Sequence, residues 1–399
     1  MIDKTSLEIP QTVATQPIIT SSPNGFNSQV EQVQAYLKTH YEFKHNAITN
    51  RVLVRPVNST VKFHYLDDYE FNSILRAVKL QNIGCSKDTL RMILYSDYVP
   101  SFDLYRMYLD KLPEWDGYDY LGDLAKTVQT SQPAHFDFCL RKWMVGLVAS
   151  LCDEKAVNHT AIILSGPQGI GKTTWFHTIL PNEFQEYIHE GYVHTKDKET
   201  NVKVSECVLI LMDELENLSD KSLDSVKQLM TQTGVPLRRA YTTITQFYPR
   251  RASFAGTVNK KQFLRDLTGN RRFLCFEVEK INIKHGIPIN QLFAQIKHLY
   301  KDGFQYWFNE DEIETLNKMN AEFRYISIEE EAFINNFDIC TLNGADDAFM
   351  TTTEIIEKLV QRTGTARLSV QRLGHVLTEM KVPRVKKNGR YGYLVKEKT

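Results

Sequence analysis

The sequence predicts an α/β protein. A parallel sheet flanked by helices forms the core, a mostly helical N-terminal domain precedes it, and a basic domain of two helices and a hairpin follows. Three observations carry this prediction. Residues 160–165 are an apolar run, followed by a glycine-rich loop and a helix-forming stretch that Pro181 stops. Residues 207–212 are a further uninterrupted apolar run, as a strand of a parallel sheet buried on both faces requires, and residues 252–258 read as the next strand. Near the C-terminus, Asn388-Gly389 separates two strand-like runs, a strong hairpin signal.

The 399 residues suffice for two or three domains. Lys and Arg number 48 against 48 Asp and Glu, so any nucleic-acid binding must come from local patches. The six cysteines are scattered with no Cys-x-x-Cys pair, which suggests neither a disulfide framework nor a zinc site. No signal-peptide pattern is read at the start, and no apolar run approaches the roughly 20 residues of a membrane span. A reducing cytoplasm is the expected compartment and no membrane partner is expected.

Residues 1–27, rich in Ser, Thr, Pro and Gln, read as a disordered lead-in. Residues 28–134 read as the mostly helical domain, from helical spacing such as Val30-Val33-Tyr36-Leu37 and Phe71-Ile74-Leu75-Val78. Short strand-like stretches occur at 52–54 and 61–65. Residues 135–285 form the core, opening with a buried helix around Trp143 and built on five strands. Residues 286–345 read as a helical extension. Its aromatics (Phe293, Tyr300, Phe304, Tyr306, Trp307, Phe308) read as core, and its glutamates (Glu310, Glu312, Glu314, Glu329, Glu330, Glu331) as a solvated face. Residues 346–399 complete the chain.

Gly166-Pro167-Gln168-Gly169-Ile170-Gly171-Lys172-Thr173, with Thr174 following, is a complete phosphate-binding loop in its strand–loop–helix context. The glycines let backbone N–H groups wrap phosphates, Lys172 is the cation for the β- and γ-phosphates, and the Thr173 hydroxyl suits Mg²⁺. A nucleoside triphosphate with Mg²⁺ is therefore the expected ligand. The 207–212 strand ends in Asp213-Glu214, at the edge where such a loop lies. Asp213 suits the Mg²⁺ and Glu214 the base that activates a water. Asn259, ending the 252–258 strand, suits an amide that contacts the γ-phosphate or the water. Arg271 and Arg272, in Thr268-Gly269-Asn270-Arg271-Arg272-Phe273, suit an arginine finger that completes a neighbouring subunit's site.

Residues 234–245 read as a basic, strand-prone insertion. Arg238 and Arg239 either grip a DNA backbone in a central channel or lie at a subunit interface. From residue 351 onward, 11 Lys or Arg stand against 4 Asp or Glu, a surplus of seven positive charges. A helix over 354–362, a turn at Gly364, a second helix over 369–380 and the basic hairpin make a winged helix. DNA binding and protein docking are both open to it, and the charge favours DNA. Ser369, Gln371, Arg372 and His375 are the candidates for base edges, and Lys386, Lys387 and Arg390 suit phosphates.

The loop motif, Met-Asp-Glu-Leu-Glu at 212–216, Pro-Arg-Arg-Ala-Ser-Phe-Ala-Gly-Thr-Val-Asn at 249–259 and Thr-Gly-Asn-Arg-Arg-Phe at 268–273 together resemble the virulence-associated protein E family. Leu-Pro-Glu-Trp-Asp-Gly at 112–117 matches it too, and the resemblance covers roughly residues 100–300. It implies a P-loop NTPase core of AAA+ and superfamily 3 helicase type, a hexameric ring with ATP at subunit interfaces, and unwinding of single-stranded or forked DNA in replication of a phage or mobile element. Lys172 and Thr173 map to the first family motif, Asp213 and Glu214 to the second, Asn259 to the sensor, and Arg271 or Arg272 to the trans finger. The family often pairs its helicase with a primase module. None is recognised here, so a separate primase is a candidate partner.

The leading expectation is thus a ring-forming, ATP-driven DNA helicase or replication initiator. The alternative is an ATP-switched DNA-binding regulator without unwinding activity. A small-molecule kinase fits poorly, because the acidic pair, Asn259 and the arginines are hydrolase equipment.

Overall fold

The computed structural model describes residues 28–193, 197–239, 242, 244–264, 270–340, 349–364 and 367–398. The chain divides into two compact units, one ending at Asp103 and the other beginning at Leu104.

The first unit is α1 (Gln29–His40), β1 (Tyr41–Asn46), β2 (Arg51–Pro56), β3 (His64–Tyr65), α2 (Asp68–Leu80), α3 (Lys87–Leu94) and β4 (Ser101–Phe102). Its strands form one sheet in the order β3-β2-β1-β4. Val33, Leu37, Phe43, Val54, Ile74, Val78 and Leu90 join the helices to one sheet face in a common core. The sequence reading emphasised the helices and missed β1. Tyr41–Asn46 alternates Glu42 and Lys44 with Phe43 and His45, a period of two rather than an apolar run. Ser28, Asp67 and Ser86 cap the three helices through their side-chain oxygens.

The second unit opens with α4 (Leu104–Asp110), α5 (Tyr120–Lys126), β5 (Val128–Thr130) and α6 (Pro133–Cys152). Next come β6 (Ala161–Ser165), α7 (Lys172–Thr178), β7 (Ile188–Glu190), α8 (Lys198–Glu206), β8 (Leu209–Met212), α9 (Asp220–Thr231), β9 (Gly234–Leu237), β10 (Gln246–Pro249), β11 (Ser253–Val258) and β12 (Phe273–Ile281). Helices α10 (Ile289–Lys301), α11 (Glu310–Asn320) and α12 (Ile328–Asn336) lead to β13 (Phe337–Ile339), β14 (Phe349–Met350), α13 (Thr352–Thr363), α14 (Val370–Glu379), β15 (Arg384–Lys387) and β16 (Arg390–Glu397).

The central sheet has six strands, one more than expected, in the order β5-β12-β6-β11-β8-β7. β12, β6, β11, β8 and β7 are parallel, and β5 adds an antiparallel edge on β12. Residues 104–130, grouped by sequence with the N-terminal domain, belong instead to this unit: β5 pairs with β12, and the α5 N-terminus is held by Gln295 of α10. β6 is buried at all five positions. Each of Ile162, Ile163 and Leu164, fully covered, contributes about 1.5–3 kcal/mol of apolar transfer. Trp143 of α6 spans a face of the sheet, its indole N–H donating to the Phe254 carbonyl at 3.0 Å.

Two readings of the 286–345 region need correction. Glu329 and Glu330 are 3% and 5% exposed, so they are not a solvated face. Glu329 accepts the Ser369 N–H at 3.0 Å, and Glu330 pairs with Arg324, which compensates the burial of both charges. Of the aromatics, Phe293 is core, whereas Phe304 to Phe308 follow α10 rather than extend it and Trp307 is 54% exposed.

At the C-terminus, Ala332, Phe333 and Phe337 share a core with Ile355, Leu359, Leu373, Leu377 and Val395, so α12 joins the module of α13, α14 and the β15–β16 hairpin. Asn388 and Gly389 both have positive φ (49° and 79°), the backbone of a two-residue hairpin turn.

Candidate functional site

β6 delivers the chain to the glycine-rich loop at the C-terminal edge of the sheet. The Gly166 N–H donates to the Val258 carbonyl at 3.1 Å. A Cβ at Gly166 would stand 2.3 Å from the Val278 carbonyl oxygen, so a larger residue would lift the loop off β12. Gly171 takes φ 91° as it caps α7, a conformation that other residues rarely adopt. Ile170 folds under the loop, within 3.2 Å of that same Gly166 position.

Lys172, first residue of α7, is 6% exposed. Its ammonium donates to the Gly166 carbonyl at 2.7 Å, the Pro167 carbonyl at 2.8 Å and Asn259 Oδ1 at 3.1 Å. Burial pushes its pKa below the usual lysine value, while Asp213 and Glu216 pull it back up. The buried cation is thus held by carbonyl and amide oxygens, with no bonded carboxylate among the described residues.

β8 ends at Met212 and exposes Asp213 and Glu214 beyond it. The Thr257 hydroxyl donates to Asp213 Oδ1, which fixes that carboxylate. Glu214 lies at φ 53°, ψ 46°, the left-handed region, so the chain bends sharply as it leaves the strand. Its carboxylate accepts Asn217 Nδ2 at 3.0 Å, and its carbonyl accepts the Tyr192 hydroxyl at 2.7 Å. Glu216 Oε1 accepts the Asn259 N–H at 2.9 Å.

Gln168, Gly169, Gly171, Lys172, Thr173, Thr174, Asp213, Glu214, Thr257 and Asn259 line one cleft of about 340 Å³. The sequence reading named nine of these ten as members of the loop, the acidic pair or the strand-end amide; Gly166, Pro167 and Ile170 serve through backbone and packing instead. Thr257 was missed, although a threonine two residues before Asn259 shares its strand face and was a usable signal. Glu216 and Tyr192 were missed because only tertiary folding brings them near.

Arg271 and Arg272 do not join this cleft. They form the turn before β12, whose first residue, Phe273, is paired with Ala161, the first residue of β6. The strands are parallel, so the arginines lie at the N-terminal edge of the sheet. About 17 Å of strand, five residues at about 3.3 Å each, separate that edge from the loop. There they line a second cavity of about 360 Å³ with His159, Thr231, Tyr306 and Trp307. Burial, then the Arg271 charge, lowers the Arg272 pKa, and among the described residues neither arginine forms an ion pair. Asn320 of α11, also missed, holds this turn by donating to the carbonyls of Asn270 at 3.0 Å and Phe273 at 2.9 Å. Thr268 and Gly269 lie outside the described residues.

The proposed DNA contacts divide. Arg238 is exposed and donates to the Thr242 carbonyl at 3.0 Å. Arg239 is turned inward, 8% exposed, with a guanidinium nitrogen 3.0 Å from Glu206 and its plane over Tyr248. That burial corrects the reading of Arg239 as a phosphate contact. The insertion itself is a two-stranded antiparallel ribbon of β9 and β10; Ala240, Tyr241 and Thr243 lie outside the described residues. On α14, Gln371, Arg372 and His375 are exposed, whereas the Ser369 hydroxyl caps the helix by accepting the Arg372 N–H. Lys386, Lys387 and Arg390 are exposed on the hairpin.

All six cysteines are free. Among the described residues no helix is long and apolar enough to cross a membrane.

Residues 109–325 match the virulence-associated protein E-like domain. No relative of curated function matches the chain. Among solved structures, the apo C-terminal region of NrS-1 (residues 305–718) is 12% identical and is covered in full, with 93% of this chain and a TM-score of 0.44. An A-form apo structure of the same region is also 12% identical, covering 92% of this chain and 99% of that one, with a TM-score of 0.45.

Proposed function

We propose that this chain, which belongs to the virulence-associated protein E-like family, is an ATPase that assembles as a hexameric ring and couples hydrolysis at its subunit interfaces to DNA unwinding in the replication of a phage or mobile element. The observation that carries this reading is the placement of Lys172 and Arg272 at opposite edges of one parallel sheet. One chain cannot bring both to the same triphosphate, whereas head-to-tail neighbours in a closed ring can. The glycine-rich loop at the C-terminal edge of the parallel strands β12-β6-β11-β8-β7, beside Asp213 and Glu214, supports the same reading.

In this reading the loop N–H groups and the α7 N-terminus receive the phosphates, and Lys172 exchanges its carbonyl partners for phosphate oxygens. Thr173 and Asp213 would hold a Mg²⁺, which would supply positive charge against that developing on the γ-phosphate. Thr257 keeps Asp213 oriented. Glu214, at the sharp bend after β8, takes the proton from the attacking water, and Asn259 orients that water or the γ-phosphate. The neighbour's Arg271 or Arg272 stabilises charge in the transition state. The winged helix of α13, α14 and the β15–β16 hairpin, with its exposed basic residues, supplies DNA contacts.

Phosphate release and particle size, measured with ATP or a non-hydrolysable analogue and forked DNA, test the proposal. It predicts hydrolysis that rises more than linearly with protein concentration, and strand displacement. Full turnover by a monomer would sink it. DNA binding without displacement would favour the ATP-switched regulator, which would use the same exposed wing.

A further inference from the structure

The first unit carries a surface that the ATPase reading does not use. One face of its sheet packs on the helices through Phe43, Val52 and Val54. In the β1–β2–β3 register, Lys44 pairs with Leu53 and Leu53 with Tyr65, so Lys44, Leu53 and Tyr65 share the opposite face. Arg51 and Arg55 alternate onto that face from β2, and Phe63 reaches it from just before β3.

The cations and rings there are layered. The Lys44 ammonium and the Arg55 guanidinium each lie 4.4 Å from the Phe63 ring centroid, and the Arg51 guanidinium lies 4.0 Å over Tyr65. Lys44 and Arg51 are exposed, and Phe63 and Tyr65 are half-buried beneath the cations. Asn46 donates to the Tyr65 hydroxyl at 3.3 Å, which steadies the ring. The single acid among them, Glu42, is bound to Arg55 at 2.7 Å, and a net positive charge remains.

We propose that this sheet face binds single-stranded nucleic acid, its bases stacking on the Arg51–Tyr65 and Phe63 layers and its phosphates meeting Lys44 and Arg51. A strand whose bases are unpaired offers both flat π-faces and a phosphate at every step, the two features this surface complements. A duplex hides its base faces and leaves the rings without partners. The site is independent of nucleotide and of ring assembly, so it stands or falls apart from the ATPase reading.

The test uses the full chain, without ATP, and the anisotropy of a fluorescent oligothymidylate of about 20 nucleotides, a length that spans more than one such platform. The double variant Lys44→Glu/Arg51→Glu is expected to weaken binding at least ten-fold, and Lys44→Ala/Arg51→Ala to flatten the salt slope by about 1.4. Both positions are exposed, and an unchanged melting temperature confirms the fold. Arg51→Lys keeps the charge and loses the flat guanidinium, so it is expected to restore the salt slope but only part of the affinity. A bromodeoxyuridine-substituted strand should photocrosslink to the peptide containing Phe63 and Tyr65. Unchanged affinity in the charge-reversed variant, absence of binding by the parent chain, or tighter binding of duplex than of single strand would each overturn the proposal. Parallel titration of oligouridylate separates RNA from DNA as the preferred strand.

Discussion

Lys172 Nζ donates to Asn259 Oδ1 at 3.1 Å, which ties the glycine-rich loop to the end of a strand 87 residues further along the chain. The same ammonium is bonded to two loop carbonyls, so the loop is held closed by the cation expected to meet a nucleotide. Lys172→Ala is expected to abolish ATP binding and to lower hydrolysis at least 100-fold, as loss of a preorganised cation does. Asn259→Ala is expected to retain binding while losing turnover. A fluorescent ATP analogue and a phosphate-release assay read the two separately; equal loss of binding in both variants would contradict the distinction.

Glu214 departs from β8 in the left-handed region with its carboxylate fixed by Asn217. Glu214→Gln preserves size and hydrogen bonding but cannot take a proton. Hydrolysis is expected to fall about 10²- to 10⁴-fold with nucleotide affinity retained. Undiminished turnover in this variant would move the base elsewhere, with Glu216, which accepts the Asn259 N–H, the next candidate.

Arg271→Ala/Arg272→Ala is expected to lose about 10³-fold or more in hydrolysis, the range of a trans-acting arginine. Mixed with Lys172→Ala subunits, it should regain part of the activity, because hybrid interfaces join an intact loop to intact arginines. Titrating one inactive variant against the other measures this. No recovery at any ratio would mean that the arginines do not act across subunits.

Arg250 is 1% exposed and donates to the carbonyls of Gln232, Ala252, Asn158 and Met230. It binds the entry of β11 to the end of α9 and to the loop before β6, with no bonded carboxylate among the described residues. Arg250→Met would strand three buried acceptors and the partly buried Gln232 carbonyl, and is expected to destabilise the second unit by about 3–5 kcal/mol. Chemical denaturation followed through the buried Trp143 and Trp175 would report it; a shift under 1 kcal/mol would show that water replaces the guanidinium.

Lys386→Ala/Lys387→Ala removes two exposed cations from the hairpin. Duplex binding is expected to weaken for every sequence alike, and the salt slope to flatten by about 1.8. Sequence-dependent weakening would instead assign these lysines to base readout.

The glycine-rich loop between strand and helix, the acidic strand end, the place of Asn259 after its strand and the Asn388-Gly389 turn were legible in the sequence. Each is a contiguous pattern whose backbone needs, such as positive φ at Gly171 or an apolar run through β6, are met by neighbouring residues. Folding alone decided which distant groups meet. It brought Thr257 to Asp213, set Lys172 against Asn259, and put the arginines at the edge away from the loop. It also buried Arg239 beside Glu206, and Glu329 and Glu330 beside the Ser369 N–H and Arg324, where local charge patterning indicated open surface. The reason is physical: a charge becomes tolerable in the interior only through a partner, and partners far apart in the chain are chosen by packing rather than by spacing.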